Sequence, residues 1–246
     1  MVPLDRIDLQ IDTFRITTRE DVDALAVSIQ QDGLITVPTL IQKPASAYAV
    51  VSGFRRIHAC QNLGLHGILA RILDSDADPL ACLRLAIAEN ALQRQLNLIE
   101  TSRAIQKLSS FFDSAVQMAE TAATLGLPAN LSILNKIKDL CLLPRPVQQS
   151  ILNDVISLSM AHELGKLDPA SAIAFVRLFE QLKFSLNKQK EILTMVDEIA
   201  RRENSSVGQV MQDSRLQGII DSEDFDRAQK GRRIRALLRQ RRFPRI

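Results

Sequence analysis

The spacing of apolar residues in the first part of the chain indicates strands and helices in alternation. Thr39 to Lys43 and Tyr48 to Ser52 are β-rich and are separated by Pro44-Ala45-Ser46, which predicts two strands joined by a turn. Ile68 to Leu73 predicts a further strand, and Phe54 to Leu63 predicts a helix. This part of the chain therefore predicts a mixed α+β domain.

A helix is also predicted ahead of these strands. Thr18 is followed by acidic residues, the pattern of a capped helix start, and Gly33 is placed to end that helix. From Asp78 onward the periodicity is helical throughout: Asp78-Pro79 opens one helix, and Leu98 to Phe112 forms the next. Three regions follow from this change: residues 1–97, an all-α region 98–202, and a basic C-terminal tail 203–246.

Charge and composition narrow the class of protein. Hydrophobic residues make up 46% of the chain and the net charge is +3, which suits a folded protein but does not by itself imply a nucleic-acid partner. The three cysteines are far apart, and no apolar run is long enough for a membrane span, so we expect a cytoplasmic protein. The arginines of the tail, up to Arg245, favour either phosphate contact or a solvated end.

A glycine between a predicted strand and a predicted helix is the first candidate site. Gly53 allows close backbone approach, the following helix start offers free N–H groups, and Arg55 and Arg56 add forked donors. This combination suits a polyphosphate. Strand–glycine–helix junctions are common, however, and two arginines on a helix often form only a solvated face.

A polar cluster on the helix after Pro79 is the second candidate. Glu89, Asn90 and Gln93 lie within one turn, with Arg94 beside them. Carboxylate and amide oxygens are ligands that Mg²⁺ on a nucleotide accepts. An ordinary polar helix face explains the same residues, and the pattern alone favours that explanation.

Two short helices around a glycine turn form the third candidate. A small-residue helix over Ala119 to Leu125, a turn over Gly126 to Asn130, and a second helix over Leu131 to Leu142 match the helix-turn-helix pattern as well as a plain helical hairpin. Residues suited to base or phosphate contact lie on or beside the second helix: Asn130, Ser132, Asn135, Lys136 and Lys138.

Together and in order, these stretches resemble the ParB family of partition proteins. Tyr48 to Ala59 resembles its strand and GERRxxA box, and Ala88-Glu89-Asn90 with Leu96 to Glu100 resembles its EN box. Pro3 to Ile7, Leu25 to Pro38 and Ile156 to Leu164 resemble further segments of the family. The resemblance covers about residues 2 to 200 and implies a ParB/sulfiredoxin-like α+β domain followed by a helix-turn-helix domain.

The resemblance implies a function for the candidate sites. In the family, CTP and Mg²⁺ bind at the GERR and EN boxes, two protomers close around DNA, and slow CTP hydrolysis resets them. It assigns nucleotide binding to Gly53, Phe54, Arg55, Arg56, Asn90 and Arg94, metal binding to Glu89 and Asn90, and a catalytic role to Glu89. Expected partners are double-stranded palindromic DNA at the nucleoid, a second copy of the chain and a ParA-type ATPase.

Departures from the family pattern leave an alternative open. Phe54 stands where the GERR box has glutamate, and the Gln93-Arg94 pair lies one residue later than in the family. A ParB-like transcription or nucleoid regulator without nucleotide binding is therefore the second hypothesis. Phe54 also excludes sulfiredoxin activity, which needs cysteine there, and the three scattered histidines argue against a nuclease. These departures leave open whether the chain is a slow CTPase. No segment of residues 203–246 resembles the family's dimerisation domain, so the oligomeric state also stays open.

Overall fold

The computed structural model describes residues 1–242 and contains two compact units, Met1–Asp139 and a second that begins at Leu140. The three regions predicted from the sequence, with boundaries after residues 97 and 202, stay a prediction. The α+β character of the first part and the helical character of the rest are confirmed.

The first unit contains a four-stranded mixed sheet and a separate two-stranded pair. The larger sheet has the order β2-β4-β3-β6: β3 runs antiparallel to β4, whereas β2 lies parallel to β4 and β6 parallel to β3. The smaller pair joins β1 and β5. The strands are β1 (Val2–Pro3), β2 (Ile7–Asp8), β3 (Thr39–Gln42), β4 (Tyr48–Ser52), β5 (Gly67–Ile68) and β6 (Arg71–Leu73).

Six α-helices of the first unit surround and extend this sheet. Leu40, Val50 and Ile57 are fully buried in a core that β3, β4 and the helix after β4 share. Asp78 caps the third helix by accepting hydrogen bonds from the amides of Leu80 and Ala81, as its sequence predicts. The helices are α1 (Asp23–Asp32), α2 (Phe54–Asn62), α3 (Pro79–Gln93), α4 (Leu98–Ser109), α5 (Ala115–Thr124) and α6 (Leu131–Ile137).

Three local predictions were wrong. Helix α1 begins at Asp23 rather than after Thr18, because the amide and hydroxyl of Thr18 bond the distant Glu100 carboxylate instead. The single strand predicted over residues 68–73 is two strands, because β5 pairs with β1 and β6 pairs with β3. The second helix of the predicted helix-turn-helix ends at Ile137, and a 3₁₀ segment, Lys138–Leu142, follows it.

The second unit is helical in the part that the structure describes. Phe175 and Phe179 lie fully buried, with ring centroids 5.7 Å apart. Among residues 1–242, no helix combines the length and the apolar character that a bilayer crossing requires. The helices are α7 (Arg145–Leu152), α8 (Leu158–Leu164), α9 (Pro169–Leu182), α10 (Leu186–Arg202), α11 (Val207–Met211), α12 (Ser214–Asp221) and α13 (Arg227–Arg242).

The arginine-rich segment forms the packed helix α13. Gly231, Ile234 and Leu238 are buried on one face, and a Cβ at Gly231 would lie 2.8 Å from the Phe184 ring. The glycine therefore allows the close approach of α13 to the rest of this unit. Residues 203–242, predicted as part of a basic tail, contain three helices, whereas Arg245 lies outside the described residues.

Candidate functional site

The junction between β4 and α2 brings backbone amides to the surface of a pocket. Gly53 has a φ of 93° in the left-handed region, and a Cβ at this position would lie 2.7 Å from the Cβ of Pro38. Both the positive φ and the close contact therefore require glycine. The first amides of α2 have no acceptor within the helix and are available to an anion.

Arg55 and Arg56 are held in place mainly by backbone carbonyl groups. The Arg55 Nε and Nη2 atoms donate to the Asp21 carbonyl at 3.2 and 2.7 Å. The Arg56 Nη1 donates to the carbonyls of Thr36 and Val37 at 2.9 and 3.1 Å. A carbonyl oxygen orients a guanidinium without cancelling its formal charge, so both arginines stay suited to an anionic ligand.

Helix α3 supplies the opposite wall of the pocket. The Glu89 carboxylate forms an ion pair with Arg56 Nη2, which joins the EN-like segment directly to the glycine junction. The Asn90 Nδ2 donates to the Ala86 carbonyl at 2.8 Å, which orients the side-chain amide. The amide oxygen is then available as a ligand for a cation. Five predicted site residues, Gly53, Arg55, Arg56, Glu89 and Asn90, therefore lie around the same pocket.

The pocket has a volume of about 240 Å³ and mixed polar and apolar walls. Besides the five residues above, Phe54 and Arg94 line it, so the structure brings together every residue predicted to bind nucleotide or metal. Gln93, which the sequence places with Glu89 and Asn90, also lines the pocket. Further lining residues were not predicted from the sequence, and they come from the segment before α1 and from α1 and its following loop: Ile16, Thr17, Leu25, Ser28, Ile29, Gly33, Leu34, Ile35 and Thr36.

Arg94 lines the pocket, but a buried carboxylate holds its guanidinium. Its Nη1 and Nη2 donate to the fully buried Glu100 at 2.7 and 2.6 Å. Burial acts to raise the pKa of Glu100, but hydrogen bonds from Arg94, Thr18 and Asn97 outweigh it and lower the pKa to about 2. The Glu100 hydrogen bond also raises the pKa of Arg94. Glu100 is therefore ionised and neutralises the positive charge of Arg94.

Phe54 is buried in the core of the first unit and also lines this pocket. The Arg15 guanidinium lies 5.7 Å from the centroid of the Phe54 ring, within the range of a cation–π contact. The ring therefore packs as part of the core and contributes no polar atom to the pocket. The family's glutamate would place a carboxylate at this position, so this part of the site is less negative here.

Helices α5 and α6, with the turn between them, form a compact helix-turn-helix. Leu134 and Ile137 are buried on the inner face of α6. Ser132, Asn135 and Lys136 are exposed on its outer face, as a base-reading or phosphate-contacting role requires.

Two other residues predicted to contact DNA have local structural roles. The Asn130 Oδ1 accepts from the Ile133 amide at 3.2 Å and so caps α6. Lys138 is half-buried in the 3₁₀ segment, and its carbonyl accepts from the Ser102 hydroxyl at 2.8 Å. Leu131 and Ile133 are exposed beside them and were not predicted to contact DNA.

The sequence carried one signal for the residues that were missed. Asn97 and Glu100 form a capping box at the start of α4: the Glu100 amide donates to the Asn97 side chain, and the Asn97 amide donates to Glu100. The spacing of an N-cap asparagine and a glutamate three residues later is recognisable in a sequence. The added contacts of Glu100 with residues 17 and 18 come from parts of the chain 82 or more residues away, and local spacing does not indicate them.

Comparisons with known proteins agree with this architecture. Residues 1–91 match the family model of the ParB N-terminal domain. A probable chromosome-partitioning protein ParB of Mycobacterium leprae is 34% identical over 155 residues, which is 61% of this chain and 44% of that protein. A nucleoid occlusion protein of Oceanobacillus iheyensis is 32% identical over 180 residues, which is 72% of this chain and 60% of that protein.

One solved structure is also similar. It is the C-terminally truncated chromosome-partitioning protein ParB from Caulobacter crescentus complexed with CTP-gamma-S, at 25% identity and a TM-score of 0.32, covering 72% of this chain and 96% of that one. The chain is therefore similar to ParB-family proteins and contains a ParB N-terminal domain, which a mostly helical part follows. The matched region spans less than two thirds of the two curated relatives described above.

Proposed function

We propose that this protein binds CTP with Mg²⁺ in the pocket between α2 and α3, binds double-stranded DNA through α5 and α6, and acts in plasmid or chromosome partition. The observation that carries the nucleotide part is the meeting of Gly53, Arg55 and Arg56 with Glu89 and Asn90 around one pocket. The choice of CTP rests on the resemblance to the ParB family and not on a base-reading contact in the pocket.

The charges around the pocket support a role for a divalent cation. Glu89 lies in an ion pair with Arg56, and Glu100 neutralises Arg94, so a triphosphate would meet less net positive charge than three arginines suggest. Glu89 and Asn90 would offer oxygen ligands to Mg²⁺, and the bound cation would supply positive charge between the phosphates and Glu89. The resemblance also assigns Glu89 a catalytic role in slow hydrolysis of CTP, and this role stays a prediction.

The outer face of α6 supports DNA binding. Residues 130–138 contain two lysines and no acidic residue, and Ser132, Asn135 and Lys136 are exposed. A seven-residue helix is about 10 Å long, which fits a major groove about 12 Å wide. In this proposal Asn135 and Ser132 contact base edges, and Lys136 contacts phosphate.

Exposed apolar residues support the assembly of two copies. Ile35, which lines the pocket, is 81% exposed, and Leu92, near the end of α3, is 88% exposed. Large apolar side chains in such positions are unfavourable in water and are suited to an interface. We therefore propose a homodimer that binds DNA at the nucleoid. The ParA-type ATPase stays a prediction from the resemblance alone.

The nucleotide proposal is tested by isothermal titration of CTP with Mg²⁺ into the purified chain, with ATP and GTP as competitors for specificity. Arg56→Ala is the informative variant, because it removes the arginine that faces Glu89. Arg84→Ala, an exposed arginine on α3 outside the pocket, is the matched control. CTP-selective binding that Arg56→Ala abolishes and Arg84→Ala preserves supports the proposal. Binding that Arg56→Ala leaves unchanged contradicts it.

A nucleotide-free regulator is the second candidate function. The buried Phe54 favours it, because an apolar ring stands where the family has a polar residue at the phosphate box. The similarity of the chain to a nucleoid occlusion protein is compatible with a regulatory role. If titration detects no nucleotide binding with or without DNA, while the chain still selects a DNA sequence from a random pool, this candidate replaces the first.

A further inference from the structure

A buried polar cluster behind the pocket joins residues 17 and 18 to the distant segment over residues 94–100. The Glu100 carboxylate accepts from the Thr18 amide at 2.9 Å, from the Asn97 amide at 3.1 Å, and from Arg94 through both terminal nitrogens. The hydroxyls of Thr17 and Thr18 donate to the same carboxylate, each at 3.3 Å. Glu100 therefore connects the segment before α1 with the end of α3 and the start of α4.

We infer that Glu100 is a positioning residue for the nucleotide pocket, and that Arg94 acts through Glu100 rather than as a phosphate ligand. This inference rests on the proposed nucleotide function and corrects the sequence-based assignment of Arg94. Two of the residues that Glu100 fixes, Thr17 and Arg94, line the pocket, whereas Glu100 itself is fully buried and lies outside the lining.

The geometry of Arg94 supports this role. Its Nη1 donates to both the Glu100 carboxylate and the Gln95 carbonyl, and its Nη2 donates to Glu100. A phosphate that took these donors would leave an ionised carboxylate buried without its cation. Breaking such a pair by removing one partner is strongly unfavourable, more so than replacing both partners. The phosphate-facing cations are therefore Arg55, which a backbone carbonyl holds, and Arg56, whose carboxylate partner Glu89 is partly exposed, whereas Glu100 is fully buried.

The segment before α1 and the start of α4 are also tied to each other without Glu100. The Asn97 Nδ2 donates to the Thr18 hydroxyl at 2.9 Å. The Arg103 Nη1 donates to the Thr17 carbonyl at 2.8 Å. This second set of contacts means that Glu100→Gln is expected to loosen the pocket wall without unfolding the unit.

The inference is tested with Arg94→Met, Glu100→Gln, the double variant, and Glu120→Gln as a control on the exposed face of α5. Urea unfolding measures the stability of each, and titration measures the affinity of the folded protein for CTP with Mg²⁺ and for CMP. We expect each single variant to lose affinity for both ligands by about fivefold to tenfold, the size of one misplaced hydrogen bond. The double variant loses no more than either single variant, and the control loses nothing.

A different pattern overturns the inference. If Arg94→Met weakens CTP far more than CMP while Glu100→Gln changes neither, Arg94 is a phosphate ligand. If both single variants lower stability and leave both affinities unchanged, the cluster is only structural. Thr18→Val, which removes the 3.3 Å contact with Glu100 and the hydrogen bond from Asn97, replaces either variant that fails to fold.

The same experiment separates this inference from the proposed function. If the unaltered chain binds neither CTP nor CMP, the nucleotide function is refuted, and the positioning role is refuted with it. The stability measurements still report whether Arg94 and Glu100 are coupled in that case, because they need no ligand.

Discussion

The chain contains two arginine-rich segments that differ in what their guanidinium groups contact. At the start of α2, Arg55 donates to a backbone carbonyl, and Arg56 donates to two carbonyls and to Glu89. In α13, Arg239 pairs with Glu191 at 2.6 Å, and Arg241 pairs with both Glu203 and Asp213.

The kind of partner decides what each segment can do. Carbonyl oxygens orient an arginine and leave its charge for a ligand, whereas carboxylates cancel the charge within the protein. The hydrogen bond from Arg239 lowers the pKa of Glu191, and that from Arg241 lowers the pKa of Glu203, as expected for carboxylates held beside cations. Arg55 at α2 therefore keeps its charge for a ligand, whereas Glu89 offsets the charge of Arg56, as Glu191 and Glu203 offset those of Arg239 and Arg241 in α13.

The largest expected effect tests whether α13 is a structural element. Ile234 is fully buried on its inner face, so Ile234→Ala removes apolar contacts and leaves a cavity. We expect a loss of about 2 to 5 kcal/mol in the free energy of unfolding, measured by urea denaturation. Ala236→Ser, on the exposed face of the same helix, is the control. A loss below that of the control would mean that α13 is not docked in solution.

This result bears on how the basic segment is tested for DNA contact. We predict from the sequence that removing residues 230–246 lowers non-specific DNA affinity and its salt dependence. Because α13 buries Ile234 and Leu238, that deletion also exposes part of the core. Replacing the exposed Arg232 and Arg233 by glutamine tests the charge without removing the helix, and an unchanged salt slope would contradict the idea.

The second effect concerns the buried carboxylate behind the α2 pocket. Since the pKa of Glu100 is about 2, below its ordinary value of 4.5, ionised Glu100 stabilises the fold. The contribution, on the order of 3 kcal/mol, is complete above about pH 4.5 and is lost as the pH falls through about 2. Unfolding free energies of the unaltered chain and Glu100→Gln should therefore converge below pH 4.5. A constant difference over this range would rule the ion pair out.

A smaller effect separates the two reasons for glycine at position 53, which are its positive φ and its close contact with Pro38. Gly53→Ala meets both a positive φ and the Pro38 contact, whereas Gly64→Ala has a φ of 69° and nothing within 4 Å. We expect a loss of about 1 kcal/mol in unfolding free energy for Gly64→Ala and about 2 to 3 kcal/mol for Gly53→Ala. Equal losses would show that the Pro38 contact relaxes easily. Titration with CTP should reveal weaker binding for Gly53→Ala alone.

The smallest expected effect on stability concerns the ion pairs between the arginines of α13 and nearby carboxylates. Arg239 is largely exposed, so its ion pair with Glu191 is screened by water and salt. Arg239→Ala should change the unfolding free energy by less than about 1 kcal/mol, with the difference shrinking as salt is added. A loss comparable to that of Ile234→Ala would contradict the view that apolar packing, rather than charge pairing, holds α13.

Much of the local structure followed from the sequence because local spacing carries it. The hairpin of β3 and β4, the cap at Asp78 and the helix after Gly53 all depend on neighbouring residues. The ordered motifs around Gly53 and Glu89 also indicated the family, and the structure places them around one pocket. Their assigned roles in binding nucleotide and DNA stay predictions.

Only the tertiary structure decided what each charged or polar group has as its partner. Thr18 has the sequence features of a helix cap but bonds Glu100, and Arg94 faces the pocket but is neutralised by the same carboxylate. Arg239 and Arg241 of α13 are the same residue type as the arginines of α2, yet they pair with the carboxylates of Glu191 and Glu203, which are distant in sequence. Sequence spacing reports neighbours within a helix or strand, whereas the charge that a ligand meets depends on contacts between residues many positions apart.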